Sequence, residues 1–146
     1  DWSDPAPDAV EDRPGCFADL GVTEMLDALL SPEVAMTTGT MIIEPTRALV
    51  AVDVNTNNDT SPAVGLKANI AAARDLPRQL RLRGLGGQIT IDFAPMPKKD
   101  RGTLEQVLRA AFKSEQAEVT LAGWTPLGCF EIQRKRDRTP LALLLK

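Results

Sequence analysis

The stretch RQLRLRGLGGQITIDF, Arg78–Phe93, decides the fold, because it contains the junction between a predicted helix and a predicted strand. Its first half continues a helical pattern that begins at Ser61 and is favoured by Ala71–Ala73. We expect Gly84 to end this helix and Gly86–Gly87 to turn the chain. The alternating segment QITIDF then predicts a short strand.

The flanking segments extend this pattern in both directions. Upstream, VAMTTGTMIIEPTRALVAVDVN (residues 34–55) predicts two strands joined by a turn near Glu44–Thr46. Downstream, residues 100–114 predict an amphipathic helix, and residues 117–124 and 128–136 predict two further strands. Two β–α–β crossovers in series predict an α/β layered sheet, mostly parallel, with flanking helices and an antiparallel hairpin at its start.

Two local features predict where helices begin or break. Thr23 precedes the apolar spacing of TEMLDALL and is expected to act as the N-cap of a helix that Pro32 ends. Pro77 removes one helical hydrogen bond and restricts the residue before it, so it predicts a break or kink in the longer helix.

Length and composition indicate one globular domain. The chain has 146 residues, of which 43% are hydrophobic and 25% charged. Residues 1–16 are rich in Pro and Asp and predict an acidic tail or linker before a domain at residues 17–146. No apolar run approaches the 18 or so residues of a membrane span. The two cysteines, Cys16 and Cys129, have no metal-site spacing, so we expect a reducing, cytoplasmic location.

The charges are unevenly distributed. Residues 1–60 contain 12 acidic and 2 basic residues, whereas residues 61–146 contain 8 acidic and 15 basic residues. A net charge of +7 in the second part favours an anionic partner, most simply nucleic acid, although a solvated basic face is the simpler structural explanation. Histidine and tyrosine are absent from the sequence, so any hydrolysis must depend on carboxylates, lysines or a metal.

Three polar residues lie on predicted strands. Asp53 and Asn55 share one face of a strand because side chains alternate, and Asp92 ends another strand. Ligand sites in open α/β sheets form beyond the carboxyl ends of strands. Two carboxylates with a nearby amide suit Mg²⁺, which prefers oxygen ligands. An Asp at a strand end is, however, often only a cap or turn residue.

Three motifs carry a family resemblance: EPTRALVAVDVN, RQLRLRGLGGQITIDF and LGCFEIQRKR. In this order and spacing they resemble the catalytic, DNase I-like subdomain of the ribonuclease E/G family over roughly residues 20–140. The family comprises hydrolytic endoribonucleases that cut single-stranded RNA with Mg²⁺. The resemblance therefore implies that residues 17–146 form this catalytic domain. The chain diverges from the family at Ala71, Pro77 and Pro95, and the paired cysteines of the family's zinc link do not occur in it.

The resemblance also implies site residues. Asp53 and Asp92 match the metal-binding aspartates, and Asn55 matches the asparagine that supports them. Arg134 and Arg136 match the basic pair near the end of the family's subdomain. Together with the charge pattern, this predicts RNA contacts from Arg78, Arg81, Lys98, Lys99, Arg134 and Arg136.

Two other functions compete with hydrolysis. The chain could be an RNA-binding or scaffold domain without activity of its own, or a subdomain that assembles with itself through apolar surface. Trp124 either caps the core or anchors a partner, and we expect a homodimer.

Overall fold

The computed structural model describes residues 5–146, which contain six strands arranged in one sheet. The strands are β1 (Glu33–Met36), β2 (Gly39–Pro45), β3 (Val50–Thr56), β4 (Gly87–Asp92), β5 (Val119–Trp124) and β6 (Phe130–Arg134). The helices are α1 (Cys16–Asp19), α2 (Val22–Leu30), α3 (Pro62–Arg83), α4 (Arg101–Phe112) and α5 (Leu141–Leu144), with a 3₁₀ turn at Lys98–Asp100. Residues 1–4 of the predicted tail lie outside the described residues, and no helix or strand occurs in residues 5–15.

The prediction of a mostly parallel sheet is wrong. The strand order is β1-β2-β3-β4-β6-β5, and the β3–β4 pairing is parallel while the other four are antiparallel. The strands β4 and β5 do run in the same direction on either side of α4. The strand β6 then returns through a tight turn and inserts between them, so that each pairs with β6 instead of with the other. The predicted two-strand segment at residues 34–55 is also three strands, because a turn at residues 37–38 separates β1 from β2.

The sheet has one covered and one open face. Alternate residues of the central strands are buried with apolar residues of α3 and α4 in a single core. The intervening residues of β3 and β4 are exposed or half-buried, and they face away from the helices. This leaves a polar sheet surface on which side chains of neighbouring strands can meet. The principal core residues of the sheet are Met41, Ile43, Val52, Val54, Ile89, Ile91, Phe130 and Ile132.

The helix α3 is continuous through Pro77, so of the predicted break or kink, the break does not occur. It ends as predicted at Gly84, which has a left-handed φ of 66°. The backbone N–H of Leu85 then donates to the carbonyl of Leu80 at 2.9 Å, as glycine-ended helices commonly do. The N-cap prediction for Thr23 is wrong, because the N-cap of α2 is Gly21, two residues earlier.

Candidate functional site

Asp53 and Asp92 are direct neighbours across the parallel pair β3–β4. Adjacent strands lie about 4.8 Å apart, and residues in register on parallel strands point to the same face. Both side chains are exposed on the open face and line one shallow pocket of about 220 Å³. The structure therefore brings together the two carboxylates that the sequence placed at strand ends.

Asn55 supports this pair from the same strand. Its side-chain nitrogen donates a hydrogen bond of 2.7 Å to Oδ2 of Asp53. This contact fixes the orientation of the Asp53 carboxylate, and no other side-chain hydrogen bond to it occurs within residues 5–146. The supporting role of Asn55 stays a prediction, with this hydrogen bond as its structural basis.

The donor atoms of this site are of the kind that a hydrated divalent cation prefers. Within the described part of the chain, no three His, Cys, Asp or Glu side chains form a group that could hold a metal. The site instead offers two carboxylates and one amide, all oxygen-bearing and open to solvent. Mg²⁺ retains several waters and is commonly bound through one or two carboxylates, so these residues fit Mg²⁺ better than a metal that needs a closed protein cage.

Asn69 fixes the chain just after Asp92, a role that was not predicted from the sequence. Asn69 is fully buried in α3, where its side chain donates to the Ala94 carbonyl at 2.9 Å and accepts from the Ala94 N–H at 2.8 Å. One turn earlier, the carbonyl oxygen of Pro95 lies 2.3 Å from where a Cβ on Gly65 would stand. The one feature of the sequence that could have indicated this role is the position of Asn69, a polar residue in the apolar stripe of α3.

The thiol of Cys129 lies beside the acidic pair. Ile91 pairs with Phe130, so the next position along the ladder places Cys129 opposite Asp92. Burial raises the pKa of Cys129, and the charges of Asp92 and Glu131 raise it further. The thiol is therefore protonated at neutral pH and is a poor nucleophile.

The predicted RNA-binding residues separate into two groups at opposite ends of β4. Lys98 and Lys99 are exposed in the 3₁₀ turn that follows Asp92, so they lie at the carboxyl end with the acidic pair. The helix α3 runs antiparallel to β4, and its last turns therefore lie at the amino end of that strand. The five steps from Gly87 to Asp92 cover about 16 Å along the strand, at 3.3 Å per residue. The predicted RNA-binding arginines of α3 therefore do not lie beside Asp53 and Asp92.

The arginines at the amino end of β4 have partners in the fold. Arg78 pairs with Asp75 at 2.8 Å, and Arg81 pairs with Glu115 at 3.2 Å. Both side chains stay substantially exposed, at 59% and 42%. The exposed Arg136 has its guanidinium against Gly87, the first residue of β4. Arg136 therefore lies at the amino end of β4, away from Asp53 and Asp92, while Arg78 and Arg81 lie on the last turns of α3.

Arg134 is a structural residue in this fold. Its side chain is 1% exposed and contacts the equally buried Glu115 at 3.4 Å. It also donates to the Leu85 carbonyl at 3.0 Å and to Asp137 at 3.1 Å. The predicted contact between Arg134 and RNA is therefore wrong for this conformation, because the fold uses its guanidinium internally.

Trp124 packs against the core and does not extend from it. Its ring lies 5.2 Å from that of Phe130 in an edge-to-face arrangement and 6.0 Å from that of Phe93. Its indole N–H donates to Glu105 at 2.7 Å. This packing agrees with the capping alternative.

Within residues 5–146, no helix is long and apolar enough to cross a membrane.

Comparison with known proteins identifies the family. The model of the "Ribonuclease E/G family" matches residues 7–137. The chain is 39% identical over 114 residues to "Ribonuclease E" of Synechocystis sp., covering 74% of this chain and 17% of the relative. It is 38% identical over 109 residues to "Ribonuclease G" of Salmonella typhimurium, covering 68% and 22%. It is 31% identical over 133 residues to "Ribonuclease E/G-like protein, chloroplastic" of Arabidopsis thaliana, covering 85% and 13%.

The chain thus spans less than a quarter of the length of each of these relatives. The family match covers nearly all of the described residues, including the three polar side chains on β3 and β4. This confirms the resemblance drawn from the three sequence motifs: the chain belongs to the ribonuclease E/G family.

Proposed function

We propose that the chain is a Mg²⁺-dependent endoribonuclease domain that hydrolyses phosphodiester bonds of single-stranded RNA during RNA processing and decay. The observation that carries the proposal is the register of Asp53 with Asp92 across β3 and β4, on an uncovered sheet face. Membership of the ribonuclease E/G family supports the choice of RNA over other phosphodiesters.

Each polar residue on this face has a distinct role in the proposal. Asp53 and Asp92 would hold Mg²⁺ between them, and Asn55 would keep the Asp53 carboxylate oriented through the 2.7 Å hydrogen bond. When bound, Mg²⁺ supplies an activated water and positive charge beside the phosphate. Water would add to phosphorus as the bond to the 3′ oxygen breaks; the attacking water would lose a proton to solvent and the leaving oxygen would gain one from solvent, giving a 5′-phosphate and a 3′-hydroxyl.

The basic residues would bind the RNA backbone at two places. Lys98 and Lys99 are at the carboxyl end of β4, where they could contact phosphates close to the cleaved bond. Arg78, Arg81 and Arg136 lie towards the amino end of β4, and Arg136, beside Gly87, is about 16 Å from Asp92 along the strand axis. A single strand of several nucleotides can span that distance, as in other folds that bind single-stranded nucleic acid.

A cleavage assay tests the proposal. The chain is incubated with a 5′-labelled single-stranded RNA in Mg²⁺, in excess EDTA, and as the Asp92→Asn variant. We expect cleavage in Mg²⁺ alone and none in the other two conditions. Asp27→Asn, an exposed change on α2, is the matched control and should retain wild-type cleavage. Equal cleavage by Asp92→Asn and wild type would contradict the proposal.

The alternative is an RNA-binding or scaffold domain without activity of its own. It is favoured by one observation: Arg78, Arg81 and Arg136 lie towards the amino end of β4 and contact neither Asp53 nor Asp92. This alternative predicts that wild type and Asp92→Asn bind single-stranded RNA equally and that neither cleaves it in Mg²⁺.

A cytoplasmic homodimer completes the proposal. Apolar side chains of α1 and α2 are exposed, with Phe17 at 60%, Leu20 at 61% and Met25 at 58%. We place the interface at these exposed apolar side chains, because apolar surface is common at interfaces between proteins. A light-scattering mass equal to that of the monomer at high micromolar concentration would contradict the homodimer.

A further inference from the structure

Arg101 has no acidic partner although it is held in a fixed position. Its guanidinium carbon lies 4.4 Å from the centroid of the Trp124 ring, within the range of a cation–π contact. Within residues 5–146, no carboxylate forms an ion pair with Arg101, and no protein acceptor receives one of its hydrogen bonds. Its side chain is half-buried. A guanidinium that is positioned by stacking retains all of its N–H donors for a ligand.

The stability of α4 does not explain a cation at this position. Arg101 is the first residue of α4, where the helix dipole disfavours positive charge. Glu105 lies four residues along the same helix and is the expected ion-pair partner. Instead, its carboxylate accepts the indole N–H of Trp124 at 2.7 Å. Glu105 therefore fixes the ring on which the guanidinium lies and leaves the guanidinium itself unpaired.

The aromatic cluster beneath Arg101 links it to Asp92. The Trp124 ring contacts Phe93, the residue after Asp92, and Phe130, the ladder partner of Ile91. A terminal nitrogen of Arg101 lies 3.4 Å from where a Cβ on Gly128 would stand. Gly128 precedes Cys129, which continues the ladder opposite Asp92. The guanidinium therefore stands at the carboxyl end of β4.

Arg101 and Asp92 lie on different sides of this strand end. Trp124 pairs with the buried Phe130, so the ring and the guanidinium lie on the helix side of the sheet. Asp92 is exposed on the open face. A phosphate held at the acidic pair is thus not the one that Arg101 can reach. An RNA strand leaving the open face over the end of β4 would bring a neighbouring phosphate to the guanidinium.

We infer that Arg101 is a substrate-binding residue that grips a phosphate flanking the cleaved bond of single-stranded RNA. This inference rests on the proposed function for the identity of the ligand. Arginine suits the role because its planar fork can donate to two phosphate oxygens at once. The stack on Trp124 orients that fork before RNA binds, which lowers the entropy lost on binding.

The test measures binding without cleavage. A fluorescein-labelled RNA of about ten nucleotides, a length within the usual site sizes for single-strand binding, is titrated with the chain in EDTA at several salt concentrations. We expect Arg101→Gln to lower the salt slope of binding by about 0.7, the value for one lost phosphate contact on a single strand. Arg109→Gln is the matched control, since Arg109 is an exposed residue of the same helix and the charge change is identical. Equal slopes and affinities for the two variants would overturn the inference.

Two further measurements identify the RNA group that Arg101 contacts. Arg101→Lys keeps the charge but loses the planar fork, so we expect it to retain the slope and to bind more weakly than wild type. RNAs carrying one neutral methylphosphonate at successive linkages locate the phosphate. Wild type should lose affinity at a linkage where Arg101→Gln does not, as a double-mutant cycle requires for a direct contact. An unchanged linkage profile in Arg101→Gln would contradict a phosphate contact.

The outcomes separate this inference from the proposed function. If the wild type cleaves RNA but Arg101→Gln matches Arg109→Gln, the Arg101 assignment fails and hydrolysis stands. If the slope depends on Arg101 but Mg²⁺ gives no cleavage, hydrolysis fails and the Arg101 contact stands. If the wild type does not bind single-stranded RNA, both are overturned.

Discussion

The hydrogen bonds of Asn69 should be essential to the stability of the site. Asn69 is 0% exposed and Ala94 is 4% exposed, so neither can replace a lost partner with water. The Asn69 side chain satisfies both backbone groups of Ala94, at 2.8 and 2.9 Å. Replacing Asn69 with Ala leaves one N–H and one carbonyl buried without partners, two residues after Asp92.

The expected loss follows from the cost of those two groups. Each buried unsatisfied group costs about 1–3 kcal/mol, so Asn69→Ala should lower the free energy of unfolding by about 2–6 kcal/mol. That is a large part of the roughly 5–15 kcal/mol typical of a folded protein. Urea unfolding measures the change, provided that the slope with urea is unchanged. Asn58→Ala, the same substitution at an exposed position, is the control. A loss below about 1 kcal/mol, or equal to that of Asn58→Ala, would refute the assigned role.

Three further changes test other parts of the structure. Gly65→Ala should lower the free energy of unfolding in urea by about 1–3 kcal/mol, because its Cβ would lie 2.3 Å from a backbone oxygen. Gly102→Ala, with nothing within 4 Å, should instead be neutral or stabilising, and equal effects would contradict the close approach. Burial raises the pKa of Asp75, but hydrogen bonds from arginine and glutamine outweigh it and hold the pKa below its usual value. Its ionised form therefore stabilises the fold above about pH 4, so the loss caused by Asp75→Asn should be present near pH 7 and shrink near pH 3; a pH-independent loss would contradict this. Replacing Lys98 and Lys99 together with Gln should lower the salt slope of RNA binding by up to about 1.4, and an unchanged slope would make them a solvated face.

The pairing of the two aspartates could be predicted from the sequence because it depends on a local rule. Two neighbouring strands connected by a helix commonly run parallel to each other, so their carboxyl ends meet at one edge of the sheet. The alternating pattern around Asp53 and Asp92 also gave their common face. Strand direction and alternation together were enough to bring these side chains into register.

The strand order could not be predicted in the same way. The hairpin of β5 and β6 can present either strand to β4, and both choices satisfy the same alternation of apolar residues. In the structure β6 is the inner strand, and its fully alternating burial from Phe130 to Arg134 contrasts with the half-buried residues of β5. The deciding difference is packing against the whole core, which a local pattern does not contain.

The roles of the arginines were predicted poorly because a sequence shows which residues are charged but not where their side chains lie in the fold. Arg78 and Arg81 precede Asp92 in the same motif, but α3 runs antiparallel to β4 and places its last turns at the amino end of that strand. Arg134 is buried because its partner Glu115, 19 residues away in sequence, is buried with it. Arg101 was missed because stacking on Trp124 depends on a contact across 23 residues.

Calorimetric titration with Mg²⁺ tests the shared site of Asp53 and Asp92 most directly. Wild type, Asp53→Asn, Asp92→Asn and the control Asp27→Asn are each titrated without RNA. We expect one Mg²⁺ to bind wild type and the control, and each of the two site variants to lose most of that affinity, because each removes one of two carboxylate ligands. Binding of Mg²⁺ to Asp53→Asn and Asp92→Asn as tightly as to wild type would contradict the shared metal site.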